Sequence, residues 1–427
     1  YLQLQIRITY FSFMKFTMLL AFCCASLSIM AQCDGDRYLN QIFNDFDEVE
    51  NIVYGNNLDL NGLSIDLLMD VYTPVGDTET SRPLIIMAHG GSFIGGSKDE
   101  LDIVPLAQDF CKMGYVVASM NYRLGIPFVL DLEQPATEAV MRGVHDMRAC
   151  IRWFRKNVAE NGNTYDINSD QIFLAGSSAG GFLTLHTAYL DEESEIPTVI
   201  DQNDPGLGGG LEGESGNPGF SSEVSGIVNI CGALADTSWI QPGDEPVCSF
   251  HGTGDNTVPF DAAMLQMFGL FDVLEVDGSN AIHVKAEEVG LTECFEVYWL
   301  QGHVPHVSNP AYYDTTRSIM SNFLAHLVCP EIELDCEYSQ MTLHTSEKEE
   351  LATLDIYPNP ASSSCIIQTP RNVVGQVEIM DSMGKIVFQE RIQAISTELD
   401  LNRLASGVYI LQFIWADGKL SKKLVVE

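Results

Sequence analysis

Between about residues 49 and 328, short apolar runs alternate with stretches whose apolar positions recur every three to four residues. The runs 49–54, 65–72, 84–88, 115–119, 171–175, 226–231, 247–251 and 295–300 predict strands. The stretches 101–113, 136–158, 179–190, 261–269, 279–289 and 312–327 predict helices. Several runs, such as Leu84-Ile85-Ile86-Met87-Ala88, are apolar at every position, as a strand covered on both faces requires. Such alternation builds βαβ crossovers, so the expected fold is α/β: a mostly parallel sheet with flanking helices. The rhythm breaks over 191–225, where Asp204-Pro205-Gly206-Leu207-Gly208-Gly209-Gly210 reads as an ordered loop or a lid. Its acidic residues have no EF-hand spacing.

Residues 330–350 read as a linker. Beyond 351 the period changes to two, in runs such as Gly375-Gln376-Val377-Glu378-Ile379 and Gly407-Val408-Tyr409-Ile410-Leu411. Turn signals at 381–384 and 416–418 separate such runs, which predicts a small all-β sandwich over 351–427. The α/β domain is expected over 32–329, preceded at 1–31 by an upstream extension and a leader. In that leader, Met14-Lys15 is followed by the apolar run Met18–Ala25, and Ala31 offers a small residue for cleavage. Residues 1–13 read as a translation start placed too early, and the apolar run is too short for a good membrane anchor.

Charge and cysteines refine this picture. The formal net charge is −37, yet 351–427 holds seven basic and eight acidic residues, so nearly all the acidity belongs to the first domain. A surface so acidic repels nucleic acid and anionic membrane. Of eleven cysteines, Cys23 and Cys24 lie in the leader. Some of the other nine should pair in an exported protein: Cys329 with Cys336 across a small loop, and Cys231 with Cys248 on neighbouring strands. No C-x-x-C pair supports a zinc ribbon or a thioredoxin-type motif.

The chemistry centres on Gly176-Ser177-Ser178-Ala179-Gly180, set between an apolar run and a helical pattern. In that setting G-x-S-x-G is a nucleophile elbow, whose sharp turn presents the Ser178 hydroxyl. A serine nucleophile needs a base, an orienting acid and an oxyanion site. Glycines in His89-Gly90-Gly91-Ser92-Phe93-Ile94-Gly95-Gly96, after the strand at 84–88, leave backbone N–H groups uncovered. Gly91, Ser92 and Ala179 are the expected oxyanion donors, with His89 shaping the loop. Asp255, in His251-Gly252-Thr253-Gly254-Asp255, is the expected acid, ahead of Asp236 and Asp272. His303, in Gln301-Gly302-His303-Val304-Pro305-His306, is the preferred base, with His306 the alternative. No metal or organic cofactor is expected, since a zinc pair of His303 and His306 would lack a third ligand cluster.

With these residues, region 45–328 resembles the esterase/lipase branch of the α/β-hydrolase superfamily. His89-Gly90-Gly91, Asn121-Tyr122-Arg123-Leu124, Asp146–Trp153, Gly176–Gly180 and His251–Pro259 carry the resemblance. It implies a Ser178–His303–Asp255 triad acting through an acyl-enzyme. Ser92 replaces a glycine common in the family, and the 48 residues between acid and base imply an inserted helix. The tail resembles a type IX secretion system C-terminal sorting domain through Ile356-Tyr357-Pro358-Asn359-Pro360, Met380–Lys385 and Leu404–Tyr409. That implies export from a Bacteroidetes-type bacterium by the type IX machinery, through the periplasm to the cell surface or medium. The expected function is a secreted serine esterase, acting on small or polysaccharide-linked esters such as acetylated or feruloylated cell-wall polymers. The rival readings are a peptidase of the prolyl-oligopeptidase kind and an inactive binding protein on the same fold.

Overall fold

A computed structural model of the chain describes residues 33, 35–127, 129, 131–267, 269–336, 355–368, 375–380, 385–392, 396–415 and 418–426. The leader, residues 337–350 of the expected linker and the turn residues 381–384 and 416–417 lie outside them. The chain divides into two compact units, Tyr1–Tyr338 and Ser339–Glu427.

All eight strands expected in the first region form one sheet. They are β1 (Phe46–Leu58), β2 (Ser64–Pro74), β3 (Arg82–Ala88), β4 (Val116–Met120), β5 (Ile167–Ser177), β6 (Ile227–Ile230), β8 (Val247–Gly252) and β11 (Glu293–Tyr298), in the order β1-β2-β4-β3-β5-β6-β8-β11. The first two pairings, β1–β2 and β2–β4, are antiparallel and all the others parallel. The continuous apolar runs explain this arrangement. In β3, Leu84, Ile86 and Ala88 enter one core and Ile85 and Met87 the other. The first core is closed by α2 (Glu133–Glu160), α3 (Ala179–Tyr189) and α4 (Ser279–Val289), the second by α1 (Val104–Lys112) and α6 (Pro310–Val328). A short α5 (Pro305–Ser308) precedes α6.

The stretch 261–269, expected to be helical, is instead β9 (Ala263–Met267). It pairs antiparallel with β10 (Phe271–Gly278), which also pairs with β7 (Ala233–Leu234). Ala263, Met264 and Gln266 are exposed while Leu265 leans on the core, so the cross-strand ladder outweighs the helix propensity of Ala, Met and Leu.

Both expected disulfides are corrected. Cys329 bonds Cys33, and Cys336 bonds Cys294. Cys231 and Cys248 are free and buried. Parallel register pairs Val228 with Cys248 and Ile230 with Phe250, which leaves Cys231 three residues past its supposed partner. The Cys294–Cys336 bond and the packing of Ile332 and Leu334 hold 332–336, assigned to the linker, on the first unit.

The loop 191–225 is ordered, and buried arginines fix it. Arg148 donates to Leu190 O at 2.6 Å, and Arg152 donates to Gly216 O at 2.9 Å and pairs with Glu212. Arg123, 1% exposed, donates to Asp146, Leu58 O, Gly206 O, Arg142 O and Ser215 Oγ. The same region strains against its own acidity. Burial and then the neighbouring Asp244 and Asp191 push the Glu245 carboxyl up to about 7. A carboxyl raised in the folded state costs stability as pH rises from its unfolded value to its folded one, here from about 4.5 to 7. Glu245→Gln should therefore stabilise the protein at pH 8 by about 1 kcal/mol and leave it unchanged at pH 4. Thermal unfolding at the two pH values measures this.

Residues 355–426 form two antiparallel sheets. One has the order β12 (Asp355–Tyr357), β13 (Ser364–Gln368), β16 (Ser396–Asp400), and the other β15 (Ile386–Ile392), β14 (Gly375–Met380), β17 (Gly407–Trp415), β18 (Gly418–Val426). Ile367 and Leu399 of the first share a core with Val377, Ile379, Leu411, Phe413 and Leu424 of the second, which makes a small sandwich.

Candidate active site

The parallel strands deliver their loops to one edge of the sheet. Ser178 follows β5 and caps α3 with φ 55° and ψ −115°, a backbone that L-residues avoid. Its N–H donates to Ile230 O at 2.7 Å, which ties the turn to β6. The turn is tight because Gly176 and Gly180 nearly touch, and a side chain on Gly180 would collide with the Ala88 carbonyl. Among the described residues, eleven non-glycine residues have positive φ, and six stand in these loops: Ser92, Phe93, Ser178, Cys231, Leu300 and Val304. Strain concentrated in this way marks a functional edge.

Ser178, His303 and Asp255 form one hydrogen-bonded row. Ser178 Oγ is 2.7 Å from His303 Nε2, and His303 Nδ1 is 2.6 Å from Asp255 Oδ2. A carboxylate only accepts, so the imidazole proton sits on Nδ1 and leaves Nε2 to accept from the Ser178 hydroxyl. Asp255 Oδ1 takes the N–H groups of Thr257 (2.8 Å) and Val258 (3.0 Å). Burial favours a neutral Asp255, but the hydrogen bonds from His251 and His303 outweigh it and hold the carboxyl well below the usual carboxylate range. The acid side chain is fully buried and the imidazole 19% exposed, so the row opens away from its acid end.

The other candidates are used elsewhere. His306 Nε2 bonds Asp102 O at 3.0 Å. His89 Nδ1 bonds Gly90 O at 2.6 Å, and its ring stacks on Tyr122 at 4.5 Å, which shapes the glycine loop. Burial lowers the pKa of both imidazoles. Asp236 accepts from Ser238 N, and Asp272 from Gln266 Nε2.

The glycine loop lies against the nucleophile: a methyl group placed on Gly90 would stand 3.2 Å from Ser178 Cβ. Gly90 N–H is committed to Asp102 Oδ2 at 2.8 Å. Gly91 and Ser92 follow at φ 118° and 56°, and Ile94 and Gly95 fold back to Gly91 O. Asp102, which anchors this loop, is a residue sequence reasoning missed. No motif contains it, and only the bond from Gly90 N–H to its carboxylate reveals it.

A cavity of about 480 Å³ opens beside Ser178. Val140, Met141, Phe182, Trp239, Leu265 and Val273 supply much of its wall, and among the described residues no Asp, Glu, Lys or Arg lines it. His186 does, but burial pushes it down to about 4, so the wall is uncharged at neutral pH. Ser178, Phe182 and His186 recur every four residues along α3, so the cavity follows the helix away from the nucleophile. The β9–β10 hairpin missed in the sequence forms part of this wall. No helix of the described residues is long and apolar enough to cross a membrane.

Residues 69–209 match the BD-FAE family model, and residues 355–427 match that of the Secretion system C-terminal sorting domain. Pyrethroid hydrolase Ces2a of Mus musculus is 33% identical over 117 residues, covering 27% of this chain and 19% of that protein. Secreted lipase 5 of Gibberella zeae is 29% identical over 188 residues, covering 41% of this chain and 32% of that protein. The chain thus spans no more than about a third of the length of these curated relatives. Among solved structures, propionate-bound esterase 2 of Thermogutta terrifontis aligns at TM-score 0.47 and 21% identity, covering 65% of this chain and 94% of that one. The sorting-domain match marks the chain for export to the cell surface or beyond. The chain is thus similar, over residues 69–209, to the BD-FAE family and to carboxylesterases and lipases, and, over residues 355–427, to the secretion system C-terminal sorting domain.

Proposed function

We propose that the protein is an exported serine hydrolase that cleaves carboxylic esters with an uncharged, largely apolar acyl group. The observation that carries this reading is the row Ser178 Oγ–His303–Asp255, at 2.7 and 2.6 Å. His303 Nε2 takes the hydroxyl proton as Ser178 attacks the ester carbonyl, and returns it to the leaving alkoxide. Asp255 keeps the proton-bearing Nδ1 in place and stabilises the imidazolium that forms. Backbone N–H groups of Gly91, Ser92 and Ala179 receive the oxyanion, each worth about 3 kcal/mol. Water, activated by the same imidazole, then releases the acid. No step needs a metal or organic cofactor. The type IX secretion machinery is the proposed partner of the tail.

The cavity supports the acyl preference: a wall without formal charge favours apolar groups over charged or sugar-like ones. Wild type and Ser178→Ala should be compared on p-nitrophenyl esters from acetate to decanoate, together with aminoacyl p-nitroanilides. Ester turnover that rises with chain length and vanishes in the variant is expected. Anilide cleavage at a comparable rate would indicate the peptidase, and no turnover the binding protein. Ala136 lines the cavity. Ala136→Phe should lower kcat/KM for octanoate about tenfold or more and spare acetate. Equal losses on both esters would contradict an acyl role for the cavity.

A further inference from the structure

Asp255 has a second imidazole neighbour. His251, fully buried near the end of β8, places Nε2 3.3 Å from Asp255 Oδ2 and 3.2 Å from Val258 O. Its Nδ1 is 2.7 Å from Ser279 Oγ, at the start of α4. Ser279 Oγ in turn lies 3.0 Å from Asn229 Nδ2 on β6. These partners fix every proton. Asn229 Oδ1 accepts Gly232 N–H at 2.8 Å, so the amide nitrogen must face Ser279. Ser279 Oγ accepts there, and its own hydrogen is left for His251 Nδ1. His251 Nε2 faces a carbonyl and a carboxylate, both pure acceptors, and therefore carries the ring proton.

We infer that His251, its tautomer set by Asn229 through Ser279, is a positioning residue whose Nε2–H, bonded to Val258 O beside Asp255 Oδ2, offsets the carboxylate's charge and thereby tunes the basicity of His303. The inference rests on the triad reading above. An N–H 3.3 Å from Asp255 Oδ2 offsets part of the charge that His303 would otherwise feel, which keeps the imidazolium from being over-stabilised. The hydroxyl on Nδ1 strengthens that donor, because an imidazole that accepts at one nitrogen gives up its other proton more readily. Among the described residues, Cys231, Asp102 and His306 are titratable groups that stand beside the pair. Burial, then Asp255, pushes the Cys231 thiol up to about 12, and burial pushes His306 down, so both are neutral at pH 7. Asp102 faces the other side, bonded through its carboxylate to Gly90 N–H and through its carbonyl to His306.

The test compares full-length His251→Phe, which keeps a ring and removes the donor, with His251→Gln, whose amide supplies an N–H. The acid limb of kcat/KM on a p-nitrophenyl ester is followed, along with the downfield proton resonance of the His303–Asp255 hydrogen bond. In His251→Phe the limb should move up by about half to one pH unit and kcat should fall about tenfold with KM little changed. His251→Gln should return both toward wild type. Ser279→Ala, the milder variant should the Phe form not fold, should shift the limb in the same direction by less. An unmoved limb in Phe and Ala variants that fold, or a Gln variant as impaired as the Phe variant, overturns the inference. If the wild type itself hydrolyses no ester, the functional reading fails separately. The titration of the downfield proton then still decides the role of His251, because it needs no substrate.

Discussion

Ser178→Ala is expected to cut kcat/KM for an activated ester by about 10⁴-fold or more, to the level that binding and oxyanion donors alone sustain. His303→Ala should do nearly as much, because a hydroxyl without its base at 2.7 Å is a weak nucleophile. The two losses should not add in the double variant, since the pair works as a unit. His306→Ala should retain most activity, its ring being committed to Asp102 O. Steady-state kinetics of the four proteins checks this. Asp255→Asn adds a sharper arm. An amide can turn its NH₂ toward His303 Nδ1, which forces the proton onto Nε2 and blocks acceptance from Ser178, so a loss of about 10⁴ is expected with the fold intact.

The second large effect concerns stability. Arg123→Ala should remove about 3–5 kcal/mol, because it leaves Asp146 as an uncompensated buried charge. Both side chains of the pair are fully buried, at 2.9 Å. The guanidinium also donates to three carbonyls, from β1, the 191–225 loop and α2, so its loss frees several layers together. Arg123→Lys should recover little, since one ammonium cannot reproduce a planar fork of donors. Urea unfolding measures the loss. Proteolysis under native conditions should then cut first near Gly206, whose carbonyl Arg123 holds. An unfolding free energy within about 1 kcal/mol of wild type would contradict this role.

Much of this was legible in the chain because the relevant signals were local. Continuous Val, Ile and Leu runs mark strands buried on both faces, and each of the eight expected in the first region lies in the main sheet. The elbow is legible for the same reason: Gly176 and Gly180 are needed where two backbone segments nearly touch. What failed depended on pairing across distance. Ala263–Met267 has helix-forming residues but sits at a sheet edge, where β10 supplies its partners. Cys329 and Cys336 are neighbours in sequence, yet each is closer in space to a cysteine from another element. β12 and β16 are short, and their alternation is too weak to stand out from flanking loops. The string His251-Gly252-Thr253-Gly254-Asp255 pointed to the proposed acid but was silent on its first residue, whose partners Ser279 and Asn229 come from other elements.

The most direct measurement traps the acyl-enzyme. Wild-type protein mixed with excess p-nitrophenyl ester, quenched in acid and mapped by mass spectrometry should carry one acyl group per chain, on the peptide holding Ser178. Ser178→Ala should carry none. Ester turnover by the wild type with no acylated peptide, or an adduct that persists in Ser178→Ala, would contradict the account.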